Sequence, residues 1–413
     1  MMPNGWQVKT MGAVLEKVAD PVQVDPKKMY QEIGIRSHGK GIFHKEPILG
    51  SALGDKRVFW VQPDAFVVNI VFAWEQAVAC TTSREQGMIA SHRFPMFRPK
   101  EGLCDVDFLA YFFKTRRGKA LLELASPGGA GRNKTLGQKE FLDIPILLPP
   151  QKEQIKIARI LATWDKAIAI AEMLIETSEA QKKVLVQKLL TGKLLRKGFV
   201  GNWRNVRLAD VAEIIVSNVD KKTVCEEKPV MLCNYTDVYH NQYITQTMCF
   251  MEATASESEI KKFSLKKGDI LITKDSERAD DIAVAACVRD SIEGLLCGYH
   301  LAIVRPKKNK VDGVFLNSLF SIDSVSHHFA SRANGVTRFG LSVNVIKDAV
   351  FSIPSFEEQC KISKIILAAD DEIAAQRKRL NALKLEKQAL MQMLLTGKRR
   401  VNMDDIPADK TAA

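Results

Sequence analysis

The stretch PPQKEQIKIARILATWDKAIAIAEMLIETSEAQKKVLVQKLLTGK, residues 149–193, decides the organisation of this chain because it occurs twice. It returns without a gap as PSFEEQCKISKIILAADDEIAAQRKRLNALKLEKQALMQMLLTGK, residues 354–398, with every residue 205 positions after its counterpart. Each copy closes a segment of about 150 residues. A repeat on this scale predicts the order domain, helix, domain, helix.

The segments ahead of the two copies also correspond, although loosely. Trp6–Glu16 aligns with Trp203–Glu213, and Phe97-Arg98-Pro99 aligns with Val304-Arg305-Pro306. The offset varies between about 197 and 207 residues, which indicates insertions and deletions in loops. We therefore expect two copies of a mixed α/β (α+β) globular domain that have diverged, while the helices have kept their length.

These correspondences predict five regions of the chain. The first domain spans residues 1–148, the first helix 149–195, the second domain 196–353, the second helix 354–398, and a flexible polar tail 399–413.

Both helical copies carry an apolar seam that steps by four and three residues in turn. A 3.5-residue period predicts a coiled coil, and Gly192 and Gly397 near the ends predict helix stops. At about 1.5 Å per residue, each helix of about 40 residues would be about 60 Å long. The apolar seam positions are Ile157, Leu161, Trp164, Ile168, Ile175, Leu185 and Leu189, then Ile362, Ile366, Ile373, Leu380, Leu383, Leu390 and Leu394.

The equal lengths of the two helices favour an antiparallel pair within one chain, which holds one domain at each end. Parallel pairing between chains is the alternative, but it would not require the two copies to match. Lys182 and Lys387 both fall on the seam. A lysine there either specifies the register at a cost in stability or extends its amine to water.

Composition places the chain among two-domain proteins with ample material for two cores. Its 413 residues are 46% hydrophobic, without an apolar run of membrane-spanning length or a signal-peptide profile, so we expect a cytoplasmic protein. The eight cysteines form no CxxC pair, which favours reduced thiols over disulfides or zinc. A formal net charge of +12 favours a polyanionic partner.

Taken together, these motifs resemble the specificity subunits of type I restriction–modification systems. The resemblance rests on P-x-x-x-E-Q at 149–154 and 354–359, on both L-L-T-G-K ends, and on W-x-x-V-x-L-x-D-V-A-E at Trp203–Glu213. It covers essentially the whole chain. In that family the globular parts are target-recognition domains for double-stranded DNA, and the helices are spacers.

The resemblance also implies partners and cofactors. Two methyltransferase subunits and two motor–nuclease subunits would join this chain, and S-adenosylmethionine, ATP and Mg²⁺ would be bound by them. This chain would hold no cofactor, no metal and no catalytic residue. The sequence has neither an [ND]-P-P-[YF] tetrad nor a G-x-x-x-x-G-K-[ST] loop. Both absences are expected of a subunit without catalytic activity. His327-His328 could in principle bind a metal, but a helix surface is the simpler interpretation.

DNA contacts are expected on domain loops that combine phosphate-binding and base-reading side chains. In the second domain the candidates are Lys274, Ser276 and Arg278, which follow a buried strand, and Thr337 and Arg338, in a loop between glycines. Their first-domain equivalents, matched by position only, are Thr82, Arg84, Arg132, Asn133 and Lys134. Any of these side chains could instead belong to an ordinary solvated loop.

The sequence thus predicts a non-enzymatic subunit that recognises a split, asymmetric DNA site and scaffolds methyltransferase and motor–nuclease subunits. Two alternatives remain open at this point. One is the specificity subunit of a nuclease–methyltransferase that cuts on both sides of its site. The other is a coiled-coil interaction protein with no role at DNA.

Overall fold

The computed structural model describes residues 3–128, 134–191, 203–220 and 223–403. The chain divides into two compact units: residues up to Met173 together with those from Lys378 onward, and residues Leu174–Arg377. Each unit therefore contains one globular domain and one half of each long helix.

The first domain is built around a four-stranded antiparallel sheet. Its strands lie in the order Leu15–Val18, Met96–Pro99, Phe66–Val68 and Val78–Cys80. Three two-stranded antiparallel pairs flank it: Met29–Tyr30 with Ile48–Leu49, Ile33–Ile35 with Ile42–His44, and Val58–Trp60 with Ile89–Ser91. The helices are Met11–Val14, Val106–Phe113, Arg116–Leu124 and Gln138–Leu142, and the 3-10 turns are Gly50–Leu53, Ala73–Glu75 and Ser83–Glu85.

The second domain repeats this arrangement with additions. Its main sheet has the order Ala212–Val216, Leu301–Pro306, Ile270–Thr273, Ala285–Val288 and Tyr243–Ile244. Met251–Ala255, Lys228–Cys233 and Leu295–Cys297 form a second sheet, and Asp275–Ser276 pairs with Phe339–Gly340. The helices are Leu208–Val211, Tyr235–Tyr239, Glu257–Phe263, Gly313–Leu319, Asp323–Ala330 and Val343–Lys347. The first four strands in this sheet order correspond one by one to the four strands of the first-domain sheet. The repeat therefore extends to the sheet topology.

Each domain begins and ends on one antiparallel strand pair. Gln7–Thr10 pairs with Pro145–Leu148 in the first domain, and Arg204–Arg207 pairs with Val350–Ile353 in the second. The second strand of each pair leads directly into a long helix, so the domain closes where its helix starts.

The long helices are Gln151–Leu190 and Phe356–Leu395, each 40 residues long. All the predicted seam positions are buried or half-buried. In the second helix, only Gln376, Leu380, Leu383 and Lys387 are half-buried between residues 374 and 389, so only a narrow stripe is covered. Gly397, just past the second helix, has a φ of +70°, a left-handed conformation typical of a helix stop. Gly192 lies outside the described residues.

The glutamine of the P-x-x-x-E-Q motif fastens each helix to its domain. The buried Gln154 side chain accepts a hydrogen bond from the Asp105 N–H (2.9 Å) and donates to the carbonyls of Leu103 and Pro149. Because Asp105 is also the N-cap of the helix Val106–Phe113, the start of the long helix is held against the start of a domain helix.

The tail predicted at 399–413 is described as far as residue 403, and its first residues contact the first domain. The Arg400 guanidinium forms a two-point ion pair with the buried Glu153 carboxylate, and it also donates to the carbonyl of Asn4. A carboxylate out of water needs such a partner, and this holds residues up to 403 on the first domain. Residues 404–413 lie outside the described part.

The eight cysteines are free thiols in the structure. Burial raises the pKa of Cys104 and of Cys287 to about 12, which keeps both thiols protonated and unreactive. None of the helices among the described residues combines the length and apolar character that a membrane crossing needs.

Candidate nucleic-acid interface

The two second-domain segments singled out from the sequence lie side by side. Asp275 pairs with Gly340 and Ser276 with Phe339 in a short antiparallel ladder, and the Leu341 N–H donates to the Lys274 carbonyl at 2.8 Å. The preceding strand, Ile270–Thr273, is fully buried, so it provides a rigid base for both segments. We call the exposed surface that they share the Lys274–Arg338 surface.

Arg338 is held in place on this surface while most of its guanidinium stays free. Its side chain is 60% exposed, and Nη2 donates to Asp275 Oδ1 at 3.0 Å. His300 Nδ1 lies 2.8 Å from Asp275 Oδ2 and 3.1 Å from Arg338 Nη2. One ring nitrogen cannot serve both partners, and the half-buried carboxylate favours an Nδ1–H that donates to Asp275. Arg338 Nε and Nη1 make no hydrogen bond among the described residues, and a bidentate contact would pair one of them with the second hydrogen of Nη2.

An aromatic residue that sequence reasoning missed lies beside these side chains. The Lys274 amine sits 4.4 Å from the centre of the Tyr299 ring, and that side chain is half exposed. Tyr299 and His300 form a turn between two apolar strands, and a cavity of about 200 Å³ opens next to them, lined also by Asn234 and Tyr235. The signal available in the sequence was the Gly-Tyr-His turn between the runs LLC and LAIV.

Two of the predicted second-domain residues are less free to bind DNA. The Ser276 side chain is buried, and its hydroxyl accepts from the Arg278 N–H at 3.3 Å. The Arg278 guanidinium already makes two hydrogen bonds to the Asp280 carboxylate, at 2.9 and 2.6 Å. Thr337, by contrast, is exposed beside Arg338, next to Val336 at the tip of the loop.

The positional match that made Thr82 and Arg84 the equivalents of Lys274–Arg278 is wrong. The strand Ile270–Thr273 lies between two neighbours whose first-domain counterparts flank Phe66–Val68. The equivalent segment therefore begins at Asn69, whereas Thr82 follows the next strand, Val78–Cys80. The loops between these short strands differ in length between the two domains. Residues matched by their position along the chain are therefore not structurally equivalent here.

Thr82 has a local structural role instead. Its hydroxyl accepts from the Arg84 N–H at 3.2 Å and contacts Glu85 Oε2 at 2.8 Å, which closes a capped 3-10 turn. Arg84 itself is exposed.

The other first-domain segment does correspond to the Arg338 loop. The Leu136 N–H donates to the Ile70 carbonyl at 2.8 Å, as Leu341 does to Lys274. Lys134 lies two residues before Leu136, and its amine is 5.7 Å from the Trp74 ring centre. Phe72 is 39% exposed nearby in the chain, and Arg132 and Asn133 lie outside the described residues. We call Phe72, Trp74 and Lys134 the Trp74 surface; its two aromatic residues were not among those predicted from the sequence.

No cluster of three or more metal-binding side chains occurs among the described residues. His327 and His328 lie on the helix Asp323–Ala330, and His328 Nε2 faces the Val345 carbonyl at 3.4 Å. Burial lowers the pKa of His328, so its ring favours the neutral form.

Comparison with known families assigns the chain to a class. The family model described as the type I restriction modification DNA specificity domain matches residues 64–179 and again residues 201–385. These two matches cover well over half of the sequence. The chain therefore belongs to the family of type I restriction–modification specificity proteins.

Individual relatives agree with this assignment. The type I restriction enzyme MjaVIII specificity subunit of Methanocaldococcus jannaschii is 24% identical over 345 residues, which cover 81% of this chain and 79% of that protein. The HsdS subunit of Thermoanaerobacter tengcongensis shares the fold with a TM-score of 0.55 at 16% identity, covering 96% of this chain and 98% of that chain. The type I S subunit of M. genitalium does so with a TM-score of 0.56 at 15% identity, over 95% and 99%.

These matches confirm the prediction of a type I specificity subunit with a mixed α/β fold. They place the chain with the specificity subunits and not with the catalytic subunits of such systems.

Proposed function

We propose that this chain recognises a bipartite, asymmetric DNA site, one half with each domain. The proposal rests on one observation: the two domains share a sheet topology, but the surfaces at equivalent positions carry different side chains. Both domains place a polar and aromatic surface beyond the same sheet strand, Lys274–Arg338 in one and the Trp74 surface in the other. Because the two surfaces occupy equivalent positions, we expect both to bind DNA. Because their side chains differ, we expect them to bind different base sequences.

The chemistry of both surfaces fits DNA. Arg338 has donors free for the O6 and N7 acceptors of guanine in the major groove, which is the commonest specific base contact. Lys274 and Lys134 supply cations for phosphate, and the net charge of +12 favours a polyanion in general. The half-sites should lie on one face of the duplex, with centres about one turn, roughly 10 bp, apart.

The long helices act as the spacer between the half-sites, and we propose that they pair antiparallel within the chain. Ion pairs support this arrangement. In the first unit Asp165 pairs with Lys387 and Glu172 with Lys384, at 2.5 and 2.7 Å. In the second unit Glu179 pairs with Arg377 at 2.5 Å, and Lys182 pairs with Asp370. Within each unit, the partner's number falls as the first residue's number rises, as antiparallel helices require.

The assembly follows from family membership. Two methyltransferase subunits and two motor–nuclease subunits would join this chain and would bind S-adenosylmethionine, ATP and Mg²⁺. This chain would contribute recognition and spacing, with no cofactor of its own.

Replacement of one domain tests the proposal. Residues 200–353 are exchanged for the equivalent domain of a relative with a different site, and the methylated sequence is mapped after assembly with the methyltransferase subunits. One half-site should change while the half read by residues 1–148 persists. A change in both halves at once, or methylation without sequence preference, would contradict the proposal.

A further inference from the structure

A tyrosine of the first domain reaches an ion pair on the long helices. The Tyr111 hydroxyl, on the helix Val106–Phe113, donates to Asp165 Oδ2 at 2.7 Å. The Lys387 amine donates to Asp165 Oδ1 at 2.5 Å and lies 5.4 Å from the Tyr111 ring centre. Lys114 contacts the same ring at 5.2 Å. One phenol thus touches both helices within the first unit.

The second unit contains the same set of groups. The Tyr243 hydroxyl donates to Asp370 Oδ2 at 2.8 Å, and Lys182 pairs with the other oxygen of that carboxylate. Lys182 also donates to Gln242 Oε1 at 3.0 Å. Arg289 lies 5.6 Å from the Tyr243 ring and pairs with Asp371, the next residue of the helix.

The aspartates and lysines repeat in the sequence, but the tyrosines do not. Asp165 recurs as Asp370 and Lys182 as Lys387 within the helical repeat. Tyr111 lies on a domain helix, whereas Tyr243 lies on the edge strand Tyr243–Ile244. The helices therefore offer the same Asp–Lys pair twice, and each domain reaches it with a phenol from a different element.

The surroundings of these groups suit a permanent contact. Both lysine side chains are only 17% exposed, so neither extends its amine to water. Burial raises the pKa of Tyr111 and of Tyr243, and the neighbouring carboxylates add to this. Both hydroxyls therefore remain protonated donors at physiological pH.

The contact adds a polar attachment point beyond those near the start of each helix, where residues such as Ile157 and Ile362 also pack in the domain cores. Gln154 fastens the first domain near the helix start, and Asp165 lies 11 residues further along, or about 16 Å at about 1.5 Å per residue. Gln359 and Asp370 have the same separation in the second unit. A polar contact further along the helix restricts the tilt of the domain about the contacts near the helix start.

We propose that Tyr111 and Tyr243 are positioning residues that fix the angle of each recognition domain and thereby set the gap between half-sites that the chain accepts. The inference rests on the proposed function. It assigns gap selectivity to two side chains whose hydroxyls contact the long helices.

Tyrosine-to-phenylalanine variants test it, because they remove only the hydroxyl and keep the packing. Tyr111→Phe, Tyr243→Phe and the double variant are assembled with the methyltransferase subunits. Binding is measured on duplexes whose half-sites are constant and whose gap varies from two base pairs below to two above the native length. Tyr30→Phe is the matched control, since its hydroxyl accepts a hydrogen bond from Asp25 N–H within the first domain.

The double variant should lose about tenfold of the preference for the native gap over a gap one base pair longer, as expected for a hydrogen bond to a charged group. Base preference within each half-site should not change, and Tyr30→Phe should behave as wild type. A gap preference in the double variant equal to that of Tyr30→Phe would overturn the inference, as would a uniform loss of affinity at every gap. Failure of the proposed function would look different, because the wild-type complex would then show no half-site preference at all.

Discussion

Gln154 and Gln359, 205 residues apart, make the same three hydrogen bonds. Each accepts from the N–H of an aspartate that caps a domain helix, Asp105 or Asp312, at 2.9 and 3.0 Å. Each also donates to a loop carbonyl of its domain and to the carbonyl of the proline five residues before it. The P-x-x-x-E-Q motif is therefore a joint between domain and helix, and its repetition means that both joints are built alike.

Removing this side chain should loosen the joint. Gln154→Leu keeps the volume but leaves the Asp105 N–H without its acceptor, at a cost of about 1–3 kcal/mol. Hydrogen exchange in residues 103–108 should become about 5- to 150-fold faster, while exchange in the second domain stays unchanged. Gln181→Leu, at an exposed position of the same helix, is the control. Equal exchange in both variants would show that the joint does not depend on the amide.

Stability above pH 10 should depend on Tyr111 and Tyr243. Their pKa values are raised in the folded chain above the ordinary value of about 10. The stability they contribute is complete below that pH and is lost as pH rises through the folded values. Unfolding followed by circular dichroism should therefore begin above pH 10, and less steeply in the double phenylalanine variant. Tyrosinate absorbance from both residues near pH 10 in a folded chain would contradict this.

Arg338 is expected to read a base. Arg338→Ala should cost about 1–3 kcal/mol for the specific site and relax preference at one base pair. A phosphate-binding residue would instead weaken all sequences evenly and lower the salt slope by about one, which is what we expect for Lys274→Ala. Binding to the site and to its single-base variants at two salt concentrations separates these outcomes. Wild-type affinity and preference in Arg338→Ala would remove this loop from the interface.

The first domain offers a comparison between two candidate surfaces. Lys134→Ala, on the Trp74 surface, should weaken binding of the first half-site, whereas Arg84→Ala should leave it within about 0.5 kcal/mol of wild type. The reason is topology, since only Lys134 lies beyond the strand equivalent to Ile270–Thr273. The same titrations on duplexes with an altered first half-site measure both effects. A larger loss of binding in Arg84→Ala than in Lys134→Ala would contradict the assignment of the Trp74 surface to DNA.

The parts of the fold that could be predicted are those with a long regular period. A seam repeated over 40 residues identified both helices within about five residues at either end. The sheet order could not be read in this way, because its strands in the first domain are three or four residues long. Thr82 was assigned to the wrong strand for that reason.

The site was predictable only in fragments. Lys274 and Arg338 stood out as polar residues in loops, but their proximity depends on a ladder between segments more than 60 residues apart. Tyr299 and Trp74 escaped notice because an aromatic residue beside a strand usually signals core. Lys182 and Lys387 were visible on the seam, whereas their aspartate partners lie on the opposite helix.

The most direct test of the account lengthens both helices together. Seven residues are inserted after Ser178 and seven after its counterpart Leu383, which keeps the seam in phase and extends the spacer by about 10 Å, or about 3 bp of DNA. Binding of the assembled methyltransferase is measured on duplexes with unchanged half-sites and increasing gaps. We predict an optimum about three base pairs longer, at reduced affinity, because three base pairs also rotate one half-site by about 100° relative to the other at 10–10.5 bp per turn. An optimum that stays at the wild-type gap would contradict the claim that the helices set the spacing.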